Sequence, residues 1–378
     1  MNQLFDERFP PQFFRGLRGH GNARWSAKQV MWLSMIMFWL PGKTLEERFR
    51  SARRILKRLK PHWSIPHSYA GFVEAQQRVW QEIGPQLLTR LRPEQELLER
   101  CRVEGWLLLA VDGTRFECPR TIANEAGLGC AGRKNSGPQL YHTQLQHVGT
   151  GLPWDDRVGA GTASERQQLQ SMLPDLPPTA LLTADAGLIS YELCRTLTES
   201  GRGFVLRIGG NKTLIEDLEP ESAEDPEVVY FWPVQGQAEP PLRLRKIEFS
   251  SPGGWPVVLV TNIEDRAVLS DEAAQRIYKS RWGIEVYFRD VKQTLGFARL
   301  QSRTPATCWN EHHWHLFSYE MLHGFFRRIQ LRSRRIPRNF SAAKARREIR
   351  DVLQRLQLEQ SGPSLKDRAT KCQTDNYQ

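Results

Sequence analysis

The sequence predicts an α/β protein built on a mixed β-sheet, with a helical region before the sheet and a β-rich insertion within it. The first hundred residues show helical periodicity interrupted by prolines. From about Gly105 onward, short apolar runs of strand length alternate with helical patterns. Glu285 follows Asp185 by 100 positions, which is a longer distance in sequence than a single crossover connection requires. These observations together indicate an α/β core that carries an insertion.

In the first region, helices are predicted over residues 30–40, 44–60 and 69–92. The segment 30–40 is apolar at all but one position, which indicates a core helix. Its 11 residues fall short of the roughly 20 that cross a bilayer, so no membrane partner is expected. Thr44 and Glu47 have the spacing of a capping box. Gly84-Pro85 predicts a break in the third helix.

The sheet is predicted from apolar segments bounded by turn residues. Core strands are expected at residues 107–111, 139–148, 154–158, 180–184 and 204–208, with helices from Ser164 and after Ile189. Inserted strands are expected at residues 228–232, 242–249 and 255–261. The predicted domains are a helical domain (1–100), an α/β domain (101–330) with its insertion at about 209–268, and a basic helix with a flexible tail (331–378).

The net charge of +11 over 378 residues favours a polyanionic partner, although a basic balance alone also fits membranes or solubility. The charge is concentrated in two stretches. Residues 44–60 carry seven basic and two acidic side chains, and residues 327–350 carry ten and one. Such clusters favour phosphate contacts without base specificity. The six cysteines form no C-x2-C pair, and the first residues, which include Asp6 and Glu7, show no charged-then-apolar pattern of an export signal. A cytoplasmic protein with reduced thiols is therefore predicted.

The segment YKSRWGIEVYFRDVK is the most informative motif. At about 100° per residue, Tyr278, Arg281, Glu285 and Lys292 fall on one helical stripe, opposite an apolar face. Ion pairs on a solvated surface would give the same pattern. Cys308 and the histidines at 312, 313 and 315 look superficially like zinc ligands, but they lack a second matched pair, and histidines on a helix surface are the alternative.

Two aspartates follow apolar strands and could meet this stripe. Asp112 follows residues 107–111, and Asp185 follows residues 180–184. Acids at strand ends lie where open α/β sheets build their sites, although each could simply begin a turn. With Glu285 they would form an all-oxygen site suited to two Mg²⁺ ions, or to Mn²⁺. Two such ions can activate an attacking oxygen and stabilise a leaving oxygen at a phosphodiester.

These motifs resemble the insertion-sequence DDE transposases of the subgroup with a Tyr-Arg-Glu-Lys signature, matched here as Y-x2-R-x3-E-x6-K from Tyr278 to Lys292. The resemblance also covers DGTRF, SER, TADAG, GFVLR and LVTN, over about residues 30–330. It departs at Ala186, where many relatives carry Arg. It implies a ribonuclease-H-like core, an N-terminal region that binds transposon ends, and a homodimer that bridges two ends.

The resemblance also implies residue roles. Asp112, Asp185 and Glu285 would be the catalytic metal ligands. The expected DNA contacts are Tyr278, Arg281, Lys292, Trp282, Trp255 and Arg207. Trp282 is expected to stack on a displaced base, whereas Trp255 could equally be a core residue. The expected partners are terminal inverted repeats and target DNA, in the cytoplasm with the nucleoid. A nuclease without strand transfer and an idle DNA-binding derivative remain open, and the N-terminal helices could instead be a structural cap.

Overall fold

The centre of the molecule is a mixed β-sheet. A computed structural model describes residues 1–15, 17, 24–132, 136–210, 214, 216, 218–221, 226–233, 240–251, 253–332 and 341–358. The strands are β1 (Leu107–Glu117), β2 (Gln139–His147), β3 (Leu152–Ala160), β4 (Ala180–Ala184), β5 (Gly203–Ile208), β6 (Leu218–Pro220), β7 (Val228–Phe231), β8 (Leu242–Ser250) and β9 (Pro256–Thr261). Their order is β3-β2-β1-β4-β5-β9-β8-β7-β6.

Helices cover the sheet and form the N-terminal region. They are α1 (Asn2–Arg8), α2 (Ala27–Trp39), α3 (Leu45–Leu59), α4 (Tyr69–Leu91), α5 (Gln95–Arg100), α6 (Ile122–Leu128), α7 (Glu165–Met172), α8 (Tyr191–Glu199), α9 (Asp271–Ser280), α10 (Trp282–Arg289), α11 (Pro305–Arg332) and α12 (Ala342–Leu358). A π-helical turn, Asp290–Thr294, follows α10. None of the described helices is both long and apolar enough to span a membrane.

The first half of the sheet is mixed, as predicted. Strand β1 pairs antiparallel with β2 and parallel with β4, and β4 pairs parallel with β5. The run from Leu107 to Val111 is buried throughout, as expected for a strand covered on both faces. The predicted α/β class is confirmed, and the strand order is consistent with a ribonuclease-H-like core.

The β-rich insertion joins this sheet. Strand β9 pairs antiparallel with β5, with Leu206 opposite Val260, and β8, β7 and β6 follow outward. An open strand edge exposes unpaired backbone groups, and β9 satisfies those of β5. The insertion therefore extends the core sheet instead of folding as a separate one.

The N-terminal helices share one hydrophobic core with α10, α11 and α12. Phe9 of α1's C-terminal end packs against Phe317 of α11 at 6.0 Å between ring centroids. The indole N–H of Trp39 donates to the Ser318 carbonyl at 2.8 Å. Residues 30–40 are buried, which confirms the predicted core helix. The first region is thus packed directly onto helices from the other end of the chain.

Two local predictions are wrong. Helix α4 runs through Gly84-Pro85 without a break, because buried Ile83 and Leu87 hold it on the core and only one backbone donor is lost. The capping box of α3 is half formed: Thr44 accepts from the Glu47 amide, but the Glu47 carboxylate accepts from the amide of Lys43.

Two of the three histidines at the start of α11 do not lie on a helix surface, whereas His313 is partly exposed. His312 and His315 are 1% and 2% exposed, and burial lowers the pKa of both well below its ordinary value. His315 stacks on Phe297 with ring centroids 3.8 Å apart. These side chains are therefore packed in the interior as neutral aromatic rings.

We expect Phe317→Ala to destabilise the protein by about 3–5 kcal/mol, because the ring is fully buried between α1 and α11. Urea unfolding followed by circular dichroism measures this loss. Ile122→Ala is the control, since Ile122 is 90% exposed and its truncation should change stability by less than about 0.5 kcal/mol. Equal stability of the two variants would contradict the shared core.

Candidate active site

The register of one parallel strand pair brings two aspartates together. Val111 of β1 is paired with Ala184 of β4. Asp112 and Asp185 are the residues that come next in the sequence after this pair. Neighbouring strands lie about 4.8 Å apart, so both acids emerge at the same edge. Asp185 follows its strand as predicted. Asp112 instead lies within β1, because the antiparallel pairing with β2 continues to Glu117.

Asp185 has partners on two other elements. The Tyr278 hydroxyl, from α9, donates to Asp185 Oδ1 at 3.2 Å. Arg207 Nη1, from β5, lies 3.6 Å from the same oxygen and 3.5 Å from the Tyr278 hydroxyl. This cluster joins β4, β5 and α9 around one carboxylate.

Arg281 brings Glu285 to this edge. Its Nη2 donates to Glu285 Oε1 at 2.6 Å, and the residue is 8% exposed. Burial acts to lower the Arg281 pKa, but Tyr278, Asp185 and Glu285 raise it above its ordinary value. The guanidinium also attracts Asp112. One buried cation therefore interacts with all three predicted acids.

Two further acids, Glu165 and Glu285, lie near Asp112 and act on its carboxyl group. Burial raises its pKa to about 6, and Glu165 and Glu285 add to the rise. The Gly113 amide, which donates to Asp112 Oδ1 at 2.9 Å, and Arg281 oppose this shift. A carboxyl group in this setting gains from any additional cation.

The signature segment is not one straight helix. Helix α9 ends at Ser280, α10 begins at Trp282, and the π-turn includes Lys292. The Lys292 ammonium donates to the Thr114 hydroxyl on β1 and lies 5.3 Å from the Phe116 ring. The predicted single regular helix is thus wrong, but Lys292 in the wider π-turn still reaches β1 close to Asp112.

Sequence reasoning missed Glu165 and Tyr141 as part of this site. Glu165 begins α7, hydrogen-bonds Tyr141, and interacts electrostatically with Asp112 and Asp185. A Cβ at position 113 would collide with both the Tyr141 hydroxyl and the Glu165 carboxylate, so glycine permits their approach. The SER motif was the available signal, because its Ser164 is the α7 cap.

The two tryptophans predicted to contact DNA are exposed. Trp282 is 60% exposed at the start of α10, and Trp255 is 76% exposed before β9. The core alternative for Trp255 is therefore wrong. Large apolar side chains at the surface are available for stacking.

The carboxylate oxygens of Asp112, Asp185 and Glu285 are the donor type that suits Mg²⁺. Their shared attraction to Arg281 indicates a common need for positive charge, so the chemistry of the residues fits a divalent ion. Among the described residues, no three acids, histidines or cysteines are grouped as metal ligands. In the described part of the chain, the three acids therefore lie within electrostatic range of Arg281 but are not gathered into one ligand set.

A family model described as a transposase DDE domain matches residues 107–321, more than half of the chain. No curated protein matches the chain. A cryo-EM structure of a piggyBac transposase synaptic complex with hairpin DNA is similar at a TM-score of 0.46 and 11% identity, covering 95% of this chain and 73% of that chain. Likeness at that level does not bear on function.

We expect Asp112→Asn to stabilise the metal-free protein. The folded pKa of about 6 exceeds the ordinary 3.8, so the folded state binds more protons than the unfolded state within that range. Stability is then lost as the pH rises between these values, and asparagine avoids the loss. The variant should gain about 1–3 kcal/mol near neutral pH and nothing below about pH 4.

Denaturant unfolding in a chelating buffer, repeated across this pH range, measures the difference. Asp175→Asn, at an exposed position, serves as the control and should follow the parent. A parent protein that is more stable than Asp112→Asn near neutral pH would contradict the assigned electrostatics.

Proposed function

We propose, since this chain belongs to the family of DDE transposases, that it cuts DNA at insertion-sequence ends and joins the freed 3′-hydroxyl to target DNA. One observation supports the proposal most strongly. Arg281 forms an ion pair with Glu285 and interacts electrostatically with Asp112 and Asp185, so one largely buried guanidinium lies near acids from three distant segments. An isolated turn aspartate or a solvated helix face would not require that arrangement.

Asp112, Asp185 and Glu285 would hold the divalent ions, two Mg²⁺ or Mn²⁺. When bound, such ions activate an attacking oxygen and stabilise a leaving oxygen at a phosphodiester. Arg281 neutralises part of the acidic charge without them. Glu165 raises the negative charge around Asp112, which strengthens the attraction for a cation.

The basic and aromatic residues would position the DNA. We assign Tyr278, Arg281, Lys292 and Arg207 to phosphates beside the cut, because all four surround the acids and three carry positive charge. Trp282 and Trp255 offer exposed rings for stacking on bases. The partners would be terminal inverted repeats and target DNA, bound by a homodimer in the synaptic complex, with the N-terminal helices assisting, in the cytoplasm near the nucleoid.

Glu285→Gln should lower cutting by about 10³-fold or more while DNA binding persists, because the amide cannot supply the charge that the reaction needs. The same holds for Asp112→Asn and Asp185→Asn. The assay follows labelled DNA from the flanks of the protein's own gene, with a target plasmid and Mg²⁺, and measures cut and joined products separately.

Glu272→Gln is the matched control, because Glu272 is an exposed acid at the start of α9. It should cut at the parent rate. Cut product without joined product would favour a hydrolytic nuclease, and binding without cutting by the parent would indicate an idle derivative. Unchanged cutting by Glu285→Gln would remove the assignment of that residue.

Trp282→Ala should slow end processing by roughly 5- to 150-fold, since base stacking is worth about 1–3 kcal/mol. Trp282→Phe keeps an aromatic face and should retain most of the rate. Trp255→Ala, measured in the same assay, tests the second exposed ring. If Trp282→Ala processed ends at the parent rate, the proposed stacking role of Trp282 would be wrong.

A further inference from the structure

The two basic stretches of the chain converge in space. Arg58 of α3 donates to the Leu356 carbonyl of α12 at 2.7 Å, and also to that of Gln357. Helix α12 buries Ala345, Ile349 and Leu353 against the shared core. Because one face of α12 is buried, its basic residues lie along the remaining faces. Residues nearly 300 positions apart in sequence thus form one basic surface.

A cavity of about 570 Å³ opens on this surface, and we name it the α12 groove. Arg346, Arg347 and Arg350 of α12 line it, together with Thr294 of the π-turn. Asp351 is the one acid in its lining, and Arg355 pairs with it at 3.2 Å. Positively charged side chains therefore outnumber acidic side chains in the lining of the groove.

The arginines of the groove repel one another. Burial, together with the positive charges of Arg350 and Arg48, lowers the Arg346 pKa to about 10. Within the described part of the chain, neither Arg346 nor Arg347 forms an ion pair with an acid. Arg350 donates to the backbone carbonyl of Trp39, which does not neutralise its charge. Clustered guanidinium groups without counter-charges are suited to an anionic ligand.

The π-turn links the groove to the candidate active site. The π-turn that contributes Thr294 also carries Lys292, whose ammonium reaches Thr114, two residues beyond Asp112. A ligand that extends from the acids along this turn would enter the α12 groove. An extended polyanion fits that path better than a single small anion, because the groove is open to the continuous basic surface of α3 and α12.

We infer that the α12 groove binds the phosphate backbone of duplex DNA beside the catalytic acids. Arg346 and Arg347 supply the principal contacts, and Arg350, held by its bond to Trp39, adds a third positive charge to the lining. That the polyanion is DNA rests on the proposed function. The backbone could belong to the insertion-sequence end or to the target, and both present the same phosphodiester chemistry.

The test measures DNA binding by the full chain in a chelating buffer, so that no cutting occurs. The double variant Arg346→Gln/Arg347→Gln should bind duplex DNA roughly 10- to 30-fold more weakly and lose about two units of the salt slope, about 0.9 per phosphate contact. Arg346→Lys/Arg347→Lys should keep most of that slope, which separates lost charge from a folding defect.

Arg100→Gln/Arg195→Gln is the matched control, since it removes the same charge from α5 and α8, where both arginines pair with acids. It should leave the slope unchanged. A loss confined to duplexes from the element's own end assigns the groove to that end, and an equal loss on unrelated duplexes assigns it to backbone contacts with any DNA, including the target.

An unchanged slope in the glutamine double variant, or an equal loss in the control, would overturn the inference. The outcome is independent of the catalytic assignment, because Glu285→Gln is scored by cutting and the groove by binding without metal. A chain that never cuts DNA could still show the predicted change in slope.

Discussion

Negative charge gathered at one edge of a largely buried sheet must be compensated, and the Arg281 guanidinium provides that compensation. The parallel register of β1 and β4 sets Asp112 and Asp185 side by side, and the helical segment after α9 adds Glu285. Arg281 is attracted to all three acids while nearly excluded from water. The balance is incomplete, as the raised pKa of Asp112 shows. The edge is therefore built to accept more positive charge.

The opposite imbalance occurs at the α12 groove, where arginines accumulate without acids to match them. Like charges that lie close together repel one another, so each of these two sites gains from a ligand of the opposite sign. Divalent ions at the acids and a phosphate backbone along the arginines would correct both imbalances at once. The π-turn connects the two sites through Lys292 and Thr294. Val291 of the π-turn and Ala345 and Ile349 of α12 belong to the same hydrophobic core.

The sequence alone predicted the parts of this protein that depend on local patterns. Apolar periodicity located α2, and short apolar runs located β1, β2, β4 and β5 close to their observed positions. The spacing from Tyr278 to Glu285 predicted helices that bring tyrosine, arginine and glutamate toward one site. The position of the two aspartates also followed from the sequence, because each comes directly after a run of apolar residues that forms a buried strand. Hydrophobic period and residue chemistry are enough for such conclusions.

Only the tertiary structure decided how these parts meet. Pairing with β2 carries β1 beyond Asp112, and pairing with β5 draws the insertion into the core sheet. Core packing keeps α4 helical through Gly84-Pro85, and the π-turn moves Lys292 onto Thr114. Glu165 lies at the site because Gly113 has no side chain to exclude it. The two basic stretches meet because α3 packs on α12. Such contacts link residues far apart in the chain. They depend on the complementarity of whole surfaces, which local sequence patterns do not encode.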